Sequence, residues 1–104
     1  MIDLKRDKEG YLVNLSDWSP EVATQLAADD DVILTDEHWE ILNLLREFYQ
    51  KFEHAPSQRP FVKFIASQLG KEKGNSIYLM TLFPGSPAKL AARIAGLPRP
   101  TNCF

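Results

Sequence analysis

Residues 36–52 carry an apolar stripe at helical spacing, which restricts this chain to folds that bury one face of a long helix. The stripe is formed by Ile41, Leu45, Phe48 and Phe52. Side chains three or four residues apart lie on the same side of an α-helix. Thr35 stands just before the stripe, where its hydroxyl can cap the helix. Because the stripe is broad and aromatic, we predict that it packs against a core and not around a ligand.

Capping residues and periodic apolar residues predict several shorter helices. The predicted segments run from Ser19 through about Ala28, from Phe61 to Leu69 after a turn over residues 53–60, from Asn75 or Ser76 onward, and from Ser86 to just before Gly96. Ser19 and Ser86 each precede a proline, which suits the first helical position. The total is about five α-helices, and the pair within residues 36–69 has a helix-turn-helix outline.

The N-terminal stretch has a different pattern. "IDLKR" and "YLVNL" flank a polar cluster, Asp7 to Gly10, that ends in glycine. Short apolar runs on either side of such a cluster are typical of a β-hairpin. We therefore predict an α+β fold, in which a small N-terminal β-hairpin or meander packs on the helices.

The length predicts a single domain over residues 1–104, since a chain of 104 residues can enclose one core but not two. Pro98 and Pro100 prevent the last helix from continuing and favour an extended backbone. Residues 97–104 are accordingly predicted to form a flexible C-terminal arm.

Charge and composition exclude several functions. The net charge of -2 disfavours general electrostatic binding to nucleic acid or to an anionic membrane. The N-terminus has no apolar signal region, and no apolar run approaches the roughly 20 residues that a membrane span needs. With one cysteine the chain cannot form an internal disulfide. We expect a cytoplasmic protein with no metal or cofactor.

The position of Cys103 is the strongest chemical signal. Cys103 is the only cysteine and lies one residue from the C-terminus. Structural cysteines are usually buried, whereas the last residues of a domain are usually exposed. A reactive thiol is therefore predicted at Cys103. Arg99 would stabilise its thiolate, as would Arg93 or Lys89 if the arm folds back over the last helix, and the terminal carboxylate would oppose ionisation.

Several stretches in the same order resemble one family. They are "DKEGYL", "LTDEHWEILNLLREFYQKF", "KEKGNSIYLMTLFP" and "GSPAKLAARIAGLPRPTNCF". Together they resemble the DsrC/TusE family of sulfur-trafficking proteins over residues 7–104. The resemblance identifies Cys103 as the functional residue. It also implies that members active in dissimilatory sulfite reduction or sulfur oxidation carry a second cysteine ten residues upstream, where this chain has Arg93.

The chain therefore resembles the one-cysteine members of the family. This resemblance implies that Cys103 accepts a persulfide from a TusBCD-like sulfur-donor complex and relays it to a tRNA 2-thiouridylase, which thiolates the wobble uridine. The protein would then be a sulfurtransferase component of a relay and not a stand-alone enzyme. Two alternatives stay open. One is a DsrC-like partner of dissimilatory sulfite reductase or other sulfur-oxidation machinery, and the other is a regulatory DNA-binding protein.

Overall fold

Residues 5–100 are described in the structure, a computed structural model, and they form five α-helices and one short 3₁₀ turn. The 3₁₀ turn spans Leu15–Asp17 and precedes helices α1 (Pro20–Asp29), α2 (Asp36–Phe52), α3 (Gln58–Leu69), α4 (Ser76–Leu82) and α5 (Pro87–Ile94). Apart from an earlier start of α3, the helices occupy the segments that their apolar periodicity predicts.

The side-chain caps that the sequence indicates form at the starts of α1 and α4, whereas Ser86 makes no side-chain cap hydrogen bond at the start of α5. The Ser19 hydroxyl accepts a hydrogen bond from the Val22 amide at 3.2 Å at the start of α1. At the start of α2, the Thr35 amide donates to Nδ1 of His38 at 3.1 Å. Nε2 of His38 lies 2.8 Å from the Leu82 carbonyl oxygen, and since Nδ1 accepts, Nε2 is the nitrogen that donates. The buried histidine thereby ties the start of α2 to the end of α4.

The predicted α+β class is wrong, because the described part of the chain is all-helical and contains no sheet. Residues 5–13 form a turn closed by a single antiparallel bridge between Arg6 and Leu12. A half-buried strand alternates buried and exposed side chains, but the adjacent Tyr11 and Leu12 are both buried. Asn14 then caps the 3₁₀ turn. The backbone thus leaves the bridge before a ladder can form.

Helix α3 begins earlier than its apolar residues predict. It starts at Gln58, with Ser57 as the N-cap residue, so the preceding turn is shorter than expected. Pro60 is accommodated because the first-turn amides of a helix have no intrahelical partner. This start places Arg59 on α3 together with Lys63, whereas the sequence assigns Arg59 to the turn.

Helix α5 lies at the centre of the bundle and contacts each of the other four helices. Its alanines at positions 91 and 92 are fully buried, and Ile94 and Ala95 are buried with them. Small side chains let neighbouring helices approach α5 closely on more than one side. The backbone after α5 therefore begins in the middle of the core.

Candidate functional site

The C-terminal segment that carries Cys103 is anchored at Gly96. Gly96 has a φ of +74°, which is a left-handed conformation that favours glycine. A Cβ atom at this position would lie 2.2 Å from Cδ1 of Trp18, so the indole ring occupies the space of a side chain. The same ring donates a hydrogen bond from Nε1 to the Ile94 carbonyl oxygen at 2.9 Å. Trp18 therefore determines how the backbone leaves α5.

Arg46 holds the adjacent peptide unit from α2. Its Nη1 donates to the Ala95 carbonyl oxygen at 2.6 Å, and its guanidinium carbon lies 3.7 Å from the centre of the Trp18 ring. Burial lowers the pKa of the Arg46 guanidinium below its ordinary value. Sequence reasoning missed both Trp18 and Arg46, because their partners are distant in the chain and neither residue interrupts a local pattern.

The first residues of the predicted arm pack against the domain. Leu97 is only 2% exposed, and Pro100 is buried as well. Between them Arg99 is exposed, and its Nη1 lies 3.2 Å from a carboxylate oxygen of Glu9. The rest of the arm, residues 101–104 with Cys103, lies outside the described residues. Within residues 97–100, the segment thus follows the surface beside the N-terminal turn.

Two of the predicted supporting cations line one cavity. Lys89 and Arg93 are one helical turn apart on α5 and face a cavity of about 250 Å³, together with Asp30 and Ser86. Nη1 of Arg93 lies 3.7 Å from Oδ1 of Asp30, which is a long ion pair. Nε of Arg93 and Oδ2 of Asp30 are buried and have no hydrogen-bond partner within the described chain. The cavity therefore brings two cations together, of which Arg93 is paired with Asp30 and keeps one buried N–H without a hydrogen bond in the described chain.

Arg93 and Arg99 both contact the N-terminal turn formed by residues 5–13. Cδ of Arg93 lies 3.1 Å from the position that a Cβ on Gly10 would take, and Glu9 is the ion-pair partner of Arg99. The Arg93 guanidinium also lies 5.7 Å from the Tyr11 ring centre. Burial raises the pKa of the Tyr11 hydroxyl, and the charge of Arg93 partly opposes that rise. The three predicted cations thus gather on the side of the molecule where the C-terminal segment runs.

Over residues 5–100 the structure contains no cluster of three or more potential metal-ligating side chains. Within the same range, no helix is both long and apolar enough to cross a membrane.

The fold and the sequence match one family along nearly the whole chain. The family model described as "DsrC like protein" matches residues 2–104. Among solved structures, DsrC from Allochromatium vinosum is 53% identical, with a TM-score of 0.87 over 97% of this chain and 90% of that chain. DsrC from Archaeoglobus fulgidus, described as the gamma-subunit of the dissimilatory sulfite reductase, is 40% identical, with a TM-score of 0.83 over 97% and 92%. This helical bundle therefore belongs to the DsrC-like family.

Curated relatives of this chain carry a more specific name than the family model does. A protein from Photorhabdus laumondii named sulfurtransferase TusE is 48% identical over 102 residues, covering 98% of this chain and 92% of the relative. One from Yersinia pseudotuberculosis with the same name is 50% identical over 98 residues, covering 94% and 91%. The chain is similar to these sulfurtransferases over nearly its whole length.

Proposed function

We propose that this protein is a sulfur carrier that holds a persulfide on Cys103 and relays it toward 2-thiolation of the tRNA wobble uridine. The observation that carries the proposal is the nearly full-length similarity to relatives named sulfurtransferase TusE, in a chain whose single cysteine is the penultimate residue. The donor would be a TusBCD-like complex, and the acceptor a tRNA 2-thiouridylase.

The chemistry needs one accessible thiolate. The Cys103 thiolate attacks the outer sulfur of a donor persulfide, the donor's sulfur–sulfur bond breaks, and the donor cysteine leaves as a thiolate. The new bond joins Cys103 to the transferred sulfur, so one sulfur atom moves without net oxidation. An acceptor thiolate repeats the exchange in the next step. Because the chain has no second thiol, no intramolecular attack can release the sulfur early.

The cation-lined cavity supports this chemistry. Thiolates and persulfide anions are stabilised by nearby positive charge, which lowers the pKa of the thiol. Lys89 and Arg93 line that cavity, and the ion pair of Arg99 with Glu9 leads the C-terminal segment along the same side. We propose that these cations act on the Cys103 sulfur as positioning residues.

Replacing Arg93 with glutamine is expected to raise the pKa of the Cys103 thiol. Loss of the cation favours the neutral thiol, so the thiolate fraction at pH 7 falls by roughly threefold. The measurement is the pH dependence of iodoacetamide alkylation, which reports on Cys103 alone in a one-cysteine chain.

The matched control for this change is Arg59→Gln, which removes the same charge from an exposed position on α3. If both variants give the wild-type alkylation profile, Arg93 does not act on the thiol.

A second role is favoured by the similarity to DsrC of Allochromatium vinosum, which is 53% identical. In that role the protein would associate with dissimilatory sulfite reductase or other sulfur-oxidation machinery. Against it, position 93 holds Arg93 where the family resemblance implies a second cysteine. The arginine is committed to an ion pair with Asp30 and to packing against Gly10.

The deciding experiment incubates the protein with a cysteine desulfurase and cysteine, with and without the donor complex. Mass spectrometry of the intact protein should show a gain of one sulfur atom that depends on the donor complex and is removed by reductant. Adding the 2-thiouridylase, tRNA and ATP, which activates the uridine oxygen as a leaving group, should return the mass to its starting value and produce 2-thiouridine. Stable binding to sulfite reductase, without uptake of sulfur from the donor complex, would instead support the second role.

A further inference from the structure

A groove separate from the cation-lined cavity lies between α2 and the start of α1. Its volume is about 670 Å³, which is within the roughly 300–1,000 Å³ range of ligand pockets. The groove is lined by Trp18 and Pro20 on one side and by Trp39, Asn43, Arg46, Glu47 and Gln50 on the other. It is therefore large enough to take several side chains of a bound segment.

The α2 wall is a continuous stripe beside the face that packs into the core, and Trp39 at one end of the stripe is partly buried against that core. Its positions 39, 43, 46 and 50 follow helical spacing and extend over about 16 Å at 1.5 Å per residue. A different face of α2, with the buried Ile41, Leu42 and Leu45, packs into the core. The stripe is thus a partly exposed helix face long enough for an extended or helical segment of a partner.

The charge in the groove favours an acidic occupant. Within the described chain the ion pairs involve Arg6, Lys73, Arg93 and Arg99. Arg46 pairs with no carboxylate there, not even that of the neighbouring Glu47, which also lines the groove. A guanidinium has five N–H donors, and Arg46 uses one of them on the Ala95 carbonyl. A carboxylate ligand would add an ion pair to a guanidinium whose pKa is lowered by burial and whose present contacts are the Trp18 ring and the Ala95 carbonyl.

The other lining groups suit a peptide. Trp18 and Trp39 are partly buried against the core, so each offers a fixed aromatic surface. Aromatic side chains of this kind are common energetic centres of protein interfaces. Asn43 and Gln50 provide amides that can pair with a peptide backbone.

The groove also touches the start of the Cys103 segment. Trp18 and Arg46 line the groove and, at the same time, bind the carbonyl oxygens of Ile94 and Ala95. An occupant would therefore lie beside Gly96 and contact the two side chains that orient the reactive end.

We propose that this groove docks an acidic peptide segment of a protein that exchanges sulfur with Cys103. The proposal rests on the sulfur-carrier role. The carboxylate of the bound segment pairs with Arg46, and its apolar side chains rest on Trp18 and Trp39.

Opposite charges at one exposed position test the proposal. Asn43→Glu adds a carboxylate one turn from Arg46, where it competes with an acidic ligand, whereas Asn43→Lys adds a cation that such a ligand tolerates. Binding is measured by calorimetry with the purified TusBCD-like complex and, separately, with the purified 2-thiouridylase. For at least one of them, Asn43→Glu should weaken binding about tenfold or more, whereas Asn43→Lys should stay within about twofold of wild type.

The matched control is Gln68→Glu, which adds the same charge at an exposed position on α3 and should bind as wild type does. If Asn43→Glu binds both proteins with wild-type affinity, the proposal is overturned. If Asn43→Glu and Asn43→Lys weaken binding equally, the inference that the occupant is acidic is overturned. If sulfur transfer proceeds while every variant binds equally, the groove proposal alone fails. If the wild-type protein neither binds these partners nor accepts sulfur, the carrier role and the groove proposal both fail.

Discussion

A Cys103→Ser variant should acquire no sulfur from the donor complex and pass none to the acceptor. The chain has no other thiol, so loss of Cys103 removes the only group that can form a persulfide. Because the last residues of a domain contribute little buried surface, the variant should keep the Tm of the wild-type protein. Intact-mass spectrometry after incubation with the relay proteins measures the first effect, and thermal unfolding measures the second.

Two outcomes would contradict this expectation. Sulfur uptake by Cys103→Ser would end the carrier assignment. A fall in Tm of several degrees would show that the thiol is packed in the folded domain, which would weaken the case for a thiol that reaches into partners.

A Gly96→Ala variant should lose a large part of the stability of the domain, although it adds only one methyl group. Alanine at a φ of +74° costs about 1–2 kcal/mol, and the collision of its Cβ with the Trp18 ring adds roughly 1–3 kcal/mol. Together these costs correspond to a decrease in Tm of roughly 10 °C or more for a domain of this size. Thermal and urea unfolding measure the loss directly.

Gly85→Ala is the matched control, because Gly85 has a φ of +90° but no atom within 4 Å of the Cβ position. It isolates the backbone cost from the collision. Gly96→Ala should therefore lose distinctly more stability than Gly85→Ala. Equal losses would mean that the Trp18 ring moves aside without cost and does not hold the start of the C-terminal segment.

The helices could be predicted because their signals are local. The stripe through Ile41 and Leu45 and the caps at Ser19 and Asn75 lie within the segments that they define. The α+β prediction was wrong because flanking apolar runs do not show whether two strands can continue beyond one bridge. Burial of both Tyr11 and Leu12, side by side, arises from packing against the rest of the domain, which a local pattern does not contain.

The candidate site also has a part that the sequence indicates and a part that only the folded structure shows. As a candidate, which stays a prediction, Cys103 could be singled out because its position and its uniqueness are properties of the sequence itself. The contacts that anchor its segment could not, since Trp18 and Arg46 bind carbonyl oxygens 76 and 49 residues away. Arg93 and Lys89 could be assigned to the last helix from the sequence, but their shared cavity with Asp30 required the packing of α1 against α5.

The central position of α5 affects how the protein is made. Of the five helices in the described chain, the one that contacts all the others is translated last. Until Pro87–Ile94 has left the ribosome, the earlier helices lack the surface on which their apolar faces meet, and isolated short helices are marginal in water. Chains interrupted before that point should remain unfolded and open to proteolysis. Folding is expected to wait until all five helices are made, so an incomplete chain without the thiol should be unfolded.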